Sequence, residues 1–294
     1  MTLRIATRSS ALALAQARWV AEAIGDAEVV PVKTEDAAVG DKARFVRGVE
    51  QAVLDGEADL AVHSAKDLPT ERPDGLALVG VPVRENVHDA LIGSAESLAD
   101  LSPGARVGTA SLRRRSQLLA HRDDLEMAEL RGNVDTRLAK LAAGEYDAIV
   151  LAAAGLSRLG RRGEIAFEFT LEQLTPAAGQ GSLAIEARAD DSAAAEAAGA
   201  ITSREALVEL TAERAAVAAL EADCDTPVGI CARFEGSELA LRGYVGLADG
   251  GAWVRDRIAG DPTQPAALGE ELVERMVDAG ARAILEQARM EAGE

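Results

Sequence analysis

The chain has 294 residues, of which 48% are hydrophobic and 27% charged, and its 49 acidic and 31 basic side chains leave a formal net charge of −18. That is the balance of a folded protein of two or three domains, and its acidity excludes a general nucleic-acid binder, which needs a basic surface. No apolar run approaches the roughly 18 residues of a membrane span, no basic stretch feeds an apolar core at the N-terminus, and two cysteines are too few for a disulfide framework, so the reading is cytoplasmic, with no membrane or nucleic-acid partner.

Leu3–Thr7 reads as a short buried strand, followed by Ser9-Ser10 and a helix over Ala11–Ile24 that Gly25 ends. Leu12, Gln16, Trp19 and Ala23 fall near one face of that helix. A helical stretch over Arg44–Leu54 leads through Gly56-Glu57 into a strand at Ala58–Val62. The same units recur later. Ala105–Thr109, Ala110-Ser111 and a helix from Leu112 to about Ala120 repeat the first; a helix over Asp135–Ala143, Gly144-Glu145 and an apolar run to Val150 repeat the second. Two matching elements in the same order point to duplication, and strands alternating with helices point to α/β units on mostly parallel sheets.

The last third reads differently. The Ala-rich stretch Asp190–Ala200 reads as a helix of the first body, and Ala206–Ala222 as a further helix. Three strands follow (Ile230–Phe234, Glu238–Val245 and Ala252–Ile258), with Gly236-Ser237 and Asp249-Gly250-Gly251 as tight turns, then a helical stretch from about Ala266 to Met290. Short connections imply an antiparallel meander in a separate α+β domain.

Only four of the basic residues are lysines (Lys33, Lys42, Lys66 and Lys140). Arginines gather at the mouths of helices: Thr7-Arg8-Ser9-Ser10, Ser111-Leu112-Arg113-Arg114-Arg115 and Arg131-Gly132-Asn133-Val134-Asp135-Thr136-Arg137. Cations there oppose the helix dipole. Any one of these turns alone reads as surface ion pairing; the three together read as an anion cleft, in which hydroxyls, free N–H groups and bidentate guanidinium forks converge on carboxylates or phosphates. His63-Ser64-Ala65-Lys66-Asp67-Leu68-Pro69 lies where a strand ends, the usual place for ligands in parallel sheets. Asp67 reads either as a turn residue before Pro69 or as a carboxylate that stabilises a developing cation or passes a proton. His63 reads as a packed strand residue, and the scattered His and Cys show no metal-ligand spacing. Cys231 on an apolar strand reads as buried. Cys224, in a polar loop, reads either as an inert thiol or as the carrier of a covalent group.

Taken together, Ile5–Leu14, Ala61–Pro69, Val107–Arg114, Leu130–Leu138, Ala152–Gly160 and Gly179-Gln180-Gly181 closely resemble the porphobilinogen deaminase (hydroxymethylbilane synthase) family, in order and over nearly the whole chain. The resemblance implies two periplasmic-binding-protein-like lobes with mixed sheets and helices, residues 1–84 with 178–203 and residues 85–177, and a C-terminal α+β domain, 204–294, with a three-stranded antiparallel sheet. It implies a transferase that deaminates porphobilinogen and joins four units head to tail into hydroxymethylbilane, in tetrapyrrole biosynthesis, as a monomer. A dipyrromethane cofactor on Cys224, through a thioether, primes the chain. The catalytic residue would be Asp67. Lys66, Ser64, Thr109, Ser111, Arg113, Arg114, Arg131 and Arg137 map to positions that bind the cofactor; Arg8, Ser10, Gln16, Arg158, Gln180, Lys42 and Phe45 map to positions facing porphobilinogen and the growing oligopyrrole. Every pyrrole unit carries an acetate and a propionate, so the oligopyrrole is a polyanion suited to an arginine-lined cleft.

Two departures stand out. The family's Gly-Gly-Lys-Gly-Leu-Phe-Val stretch is Gly40-Asp41-Lys42-Ala43-Arg44-Phe45-Val46, after a shortened loop, and the usual Gly-Gly before the cofactor cysteine is Ala222-Asp223. Asp223 and Asp225 would disfavour the Cys224 thiolate. A small-anion solute-binding or effector-sensing module of the same lobed fold is the competing reading, but it leaves Cys224 and the third domain without a role.

The acid surplus also fits a salt-rich cytoplasm, where salt screens self-repulsion and carboxylates hold water at the surface. We expect the thermal midpoint to fall as KCl is withdrawn; superimposable high- and low-salt melting curves would refute this.

Overall fold

The computed structural model describes residues 2–32, 42–222 and 226–292, with backbone alone for 42–45 and 292. Two five-stranded mixed sheets are built on one plan. The first contains β1 (Leu3–Arg8), β2 (Ala27–Val32), β3 (Leu60–Ser64), β4 (Leu76–Gly80) and β10 (Leu183–Arg188), in the order β2-β1-β3-β10-β4. The second contains β5 (Asp89–Gly93), β6 (Arg106–Gly108), β7 (Glu126–Ala128), β8 (Ala148–Ala152) and β9 (Phe167–Glu168), in the order β7-β6-β8-β5-β9. In each sheet three parallel strands are followed by one antiparallel strand. Each antiparallel strand follows directly on a crossing between the sheets: β5 after the first, β10 after the second. These are the two periplasmic-binding-protein-like lobes that the resemblance implies. The paired sequence units fall on equivalent strands, β1 with β6 and β3 with β8.

Helices α1 (Ala11–Ile24), α2 (Lys42–Leu54) and α6 (Ser192–Ala200) cover the first sheet; α3 (Leu112–His121), α4 (Val134–Ala142) and α5 (Ala153–Arg158) belong to the second lobe. The face of α1 differs from the sequence reading. Ala13, Gln16, Ala17 and Val20 are buried, whereas Trp19 is 46% exposed and Ala23 is exposed. The core stripe is rotated because the small side chains of Ala13 and Ala17 allow close approach to the sheet.

The third unit packs α7 (Arg204–Ala219), α8 (Pro265–Asp278) and α9 (Ala281–Ala292) on a meander of β11 (Val228–Glu235), β12 (Glu238–Gly246) and β13 (Trp253–Gly260). Its core includes Ile230, Leu241, Leu272 and Met276. The single helical stretch expected after the meander is two helices, broken where Gly280 adopts φ +100°, a conformation open to glycine at little cost. Among the described residues no helix is long and apolar enough to cross a membrane.

One ion network joins both crossings to the third unit. Arg84, on the first crossing and 2% exposed, pairs with Glu213 at 2.8 Å and Glu209 at 3.2 Å, both on α7. Its Nε donates to the Gln180 carbonyl on the second crossing at 2.9 Å. Glu213 also accepts from the Gly179 and Ala232 amides at 2.6 and 2.7 Å. Burial opposes the Arg84 charge, but Glu213 and Glu209 more than restore it. Removing one member leaves the others charged, buried and unpaired, which typically costs about 3–5 kcal/mol. Arg84→Ala is therefore expected to destabilise by about 3–5 kcal/mol in urea unfolding, far more than loss of an exposed arginine such as Arg106.

Candidate active site

The site is assembled where the strands of the two lobes end. β3 ends at Ser64, and the chain turns through a short 3₁₀ segment, Ala65–Asp67. Gln16 of α1 donates to Ser64 Oγ at 2.8 Å. Gly179, at φ +73°, packs so tightly beneath this turn that a Cβ would lie 2.8 Å from both the Ala65 carbonyl carbon and the Lys66 amide nitrogen. Gly181, at φ +87°, would place a Cβ 2.3 Å from the Glu85 carbonyl oxygen. The Gly179-Gln180-Gly181 motif is thus a steric requirement: the second crossing runs between the Asp67 turn and the first crossing.

In the second lobe, Ser111 caps α3 by accepting from the Arg114 amide at 3.4 Å, and the Ser111 amide donates to Thr109 Oγ1 at 3.1 Å. Arg113 and Arg114 then turn inward to a carboxylate that the sequence reading missed, Asp89 at the start of β5. Arg113 Nη1 reaches Asp89 Oδ2 at 2.7 Å, and Arg114 Nε and Nη2 reach Oδ1 at 2.9 and 2.7 Å. Gln180 Nε2 adds a bond to Oδ1 at 3.1 Å. Burial works against the Asp89 charge, yet the two guanidinium groups hold its carboxyl far below the usual range. The available signal was a lone acid entering an apolar run, Asp89-Ala90-Leu91-Ile92.

Lys66 sits in the field of Asp67, Arg114, Asp89 and Arg113; burial, reinforced by the arginines, brings its ammonium down to about 8. Its Nζ approaches Gln180 Oε1 at 3.4 Å. Arg137 is brought down to about 10, first by burial and then by Arg114, with Asp67 opposing. Burial also lowers Arg8, and Asp67 again opposes. Among the described residues, Lys66, Arg113, Arg114 and Arg137 thus share the field of two carboxylates, Asp67 and Asp89, and Asp67 also acts on Arg8. An excess of desolvated cations is a carboxylate-binding environment.

Other expected site residues fall elsewhere. Arg158 donates to the Gly181 carbonyl at 2.7 Å, and burial brings it down to about 10. Arg131 is exposed and pairs with Glu129 at 2.5 Å. Gln180 is fully buried; its side-chain amide donates to the Val87 carbonyl and to Asp89, and its Oε1 faces Lys66. Gln16, 3% exposed, likewise serves Ser64. Ser10 caps α1 by accepting from Ala13 at 3.3 Å. The side chains of Lys42 and Phe45, and the whole of Cys224, lie outside the described residues. His63 and Cys231 are both buried.

Comparison with known proteins decides the family. The family model described as "Porphobilinogen deaminase, dipyromethane cofactor binding domain" matches residues 3–196, and that described as "Porphobilinogen deaminase, C-terminal domain" matches residues 207–278. The chain belongs to the porphobilinogen deaminase family. A porphobilinogen deaminase of Trichlorobacter lovleyi is 43% identical over 97% of this chain and 96% of that protein; one of Roseiflexus sp. (strain RS-1) is 45% identical over 97% and 98%. A solved TRAP periplasmic solute binding protein from Desulfovibrio salexigens is 11% identical, with a TM-score of 0.41 over 68% of this chain and 72% of that one. Porphobilinogen deaminase activity, with a dipyrromethane cofactor, follows from the family. The cation excess around Asp67 fits such a cofactor, whose rings each bring an acetate and a propionate.

The Asp89 hub also makes an acid-stability prediction. A carboxyl held low in the fold stabilises it above its unfolded value, near 4, and that contribution is lost as pH falls below it. Asp89→Asn should therefore be several kcal/mol less stable at pH 7, and the gap to the parent should narrow in denaturation series taken below about pH 4.

Proposed function

We propose that the reaction runs over the Asp67 turn, with the surrounding cations holding the carboxylates of the cofactor and of the lengthening oligopyrrole. The observation that carries this reading is the placement of Asp67 among Arg8, Lys66 and Arg137. The bound dipyrromethane, attached to Cys224, supplies the pyrrole carbon to which the first unit is joined. Arg113 and Arg114, fixed by Asp89, present a rigid positive wall. Lys66 and Arg137, which no carboxylate grips as Asp89 grips Arg113 and Arg114 among the described residues, take incoming carboxylates together with Arg8, with Ser64, Thr109 and Ser111 as neutral donors near the turns. Arg158, beside the second crossing, serves the later units.

Loss of ammonia from porphobilinogen leaves positive charge on the substrate's pyrrole nitrogen, and joining the next ring develops it again. Asp67 stabilises that charge and takes up the proton released in coupling, which it then gives to the freed ammonia or to the amine of the next unit. The other groups bind and orient. The overall reaction is that of a transferase: four porphobilinogen units and one water give hydroxymethylbilane and four ammonia, the water cleaving the bond that joins the finished chain to the cofactor. We further infer that the chain works as a cytoplasmic monomer adapted to high salt, with lobes 1–84 plus 178–203 and 85–177 and a third domain from 204, the crossings giving slight adjustment as the product lengthens.

Asp67→Asn should keep the fold and the covalent cofactor yet lower turnover by about 10²–10⁴-fold; near-native turnover would remove Asp67 from the chemistry. Intact-protein mass under denaturing conditions should show a dipyrromethane-sized addition that disappears in Cys224→Ser.

A further inference from the structure

Behind the Asp67 turn lies a set of titratable groups that the chemistry above does not use. Strand pairing sets His63 opposite Ala184 and Ala61 opposite Glu186, so side-chain alternation puts His63 and Glu186 on one sheet face. That face is covered by α2, whose Val49 packs with Ala61, and α2 also contributes Glu50. Glu50, His63 and Glu186 are 1%, 5% and 0% exposed. His63 Nε2 is 3.4 Å from Glu186 Oε2, close enough for a small side-chain adjustment to join them, and among the described residues neither carboxyl nor His63 Nε2 has a hydrogen-bond partner.

Charge on both of two neighbouring buried carboxyls that lack donors is disfavoured. Burial and then Glu50 push Glu186 up to about 7, against the pull of Arg72 and Arg214. Burial also raises Glu50, with Arg47 opposing. His63 is pushed down to about 4 by burial and by Arg8. A neutral imidazole can pair with this carboxyl by accepting at Nε2 from a protonated Glu186 or by donating Nε2–H to it; beside a second buried carboxyl, the first arrangement avoids burying another charge. The location is telling. Ser64, next in sequence and on the opposite face, is held by Gln16 at 2.8 Å. The end of β3 is therefore gripped from both faces immediately before it turns into Lys66 and Asp67.

We propose that Glu186 is a positioning residue for the Asp67 turn, acting as a neutral carboxyl that donates to His63, with Glu50 closing the pocket from α2. This rests on the reading of Asp67 as the catalytic carboxylate. The test uses full-length, cofactor-loaded protein. Glu186→Gln, which preserves shape and neutrality, should keep kcat within about twofold, whereas Glu186→Ala and the acceptor-removing His63→Phe should lower kcat about tenfold with KM for porphobilinogen nearly unchanged, since a small misplacement of a reacting group acts on the chemical step.

A second readout is independent of catalysis. The protonated form stabilises the fold fully below the ordinary carboxyl value of 4.5, and the contribution disappears as pH rises to about 7. The melting temperature of Glu186→Gln should therefore gain on the parent between those pH values and hold a constant lead above them. A Gln variant as slow as the Ala variant, a native kcat in both Glu186→Ala and His63→Phe, or a flat melting difference would each overturn the proposal. Should Glu186→Ala fail to fold, the Gln and Phe variants still decide. Near-native turnover in Asp67→Asn would instead remove the catalytic reading while leaving the melting result standing.

Discussion

A fully buried aspartate shared by two adjacent arginines is the constraint on which the rest of the site depends. Arginines at the opening of a helix oppose its dipole, and both Arg113 and Arg114 are only 5% exposed. Without Asp89 neither would remain buried and charged in that position. With it, two cations are fixed against the second sheet at the cost of a single anion, so their positive field still reaches the cleft. Arg114 Nη1 is further tied to the Val150 carbonyl at 2.9 Å, and Arg113 Nη1 to the Thr175 carbonyl at 2.7 Å. The guanidinium groups are therefore preorganised, which suits binding a ligand that repeatedly changes length but always presents carboxylates.

The same device appears at the hinge with its signs reversed. Arg84 is a single cation shared by Glu209 and Glu213, and Glu213 distributes its oxygens to amides on the second crossing and on β11. Gln180 connects the two hubs: its carbonyl accepts from Arg84, and its side-chain amide donates to Asp89. Both crossings are thereby fastened at one level, and the third unit is locked to that level.

The repeated α/β units, the meander and the helix starts are plain in the sequence because each rests on local signals: a strand followed by a polar turn, Gly-Glu before an apolar run, and glycine-rich turns between short strands. The antiparallel strands β5 and β10 are not, because each joins a sheet assembled from residues far away in sequence. The same holds for Asp89 and Glu186, the first residue of β5 and a middle residue of β10. Their partners, Arg113, Arg114 and His63, were all visible in the sequence, but a counter-ion supplied by a returning strand has no local spacing to announce it. Trp19 shows the opposite failure: helical spacing marks a large apolar side chain as core, but Ala13 and Ala17 set how closely α1 meets the sheet and leave the indole outside.

The two faces of β3 bring these points together. The strand end faces cations on the cleft side, where Lys66 and Asp67 emerge, and buried acid groups on the α2 side, where Glu50 and Glu186 lie. Ionising those acids would place negative charge directly behind a site whose purpose is to attract negative charge. Burial raises both acids, which weakens the negative field that would otherwise oppose that of Arg8 and Lys66, while their shape still fills the space under the strand. A chain with a net charge of −18 must hold its surplus acid outside the cleft or neutralise it within; at the surface water and salt do the first, and behind β3 burial does the second. The positive cleft is in this sense a property of where the protein allows its carboxyls to ionise, as much as of where it places its arginines.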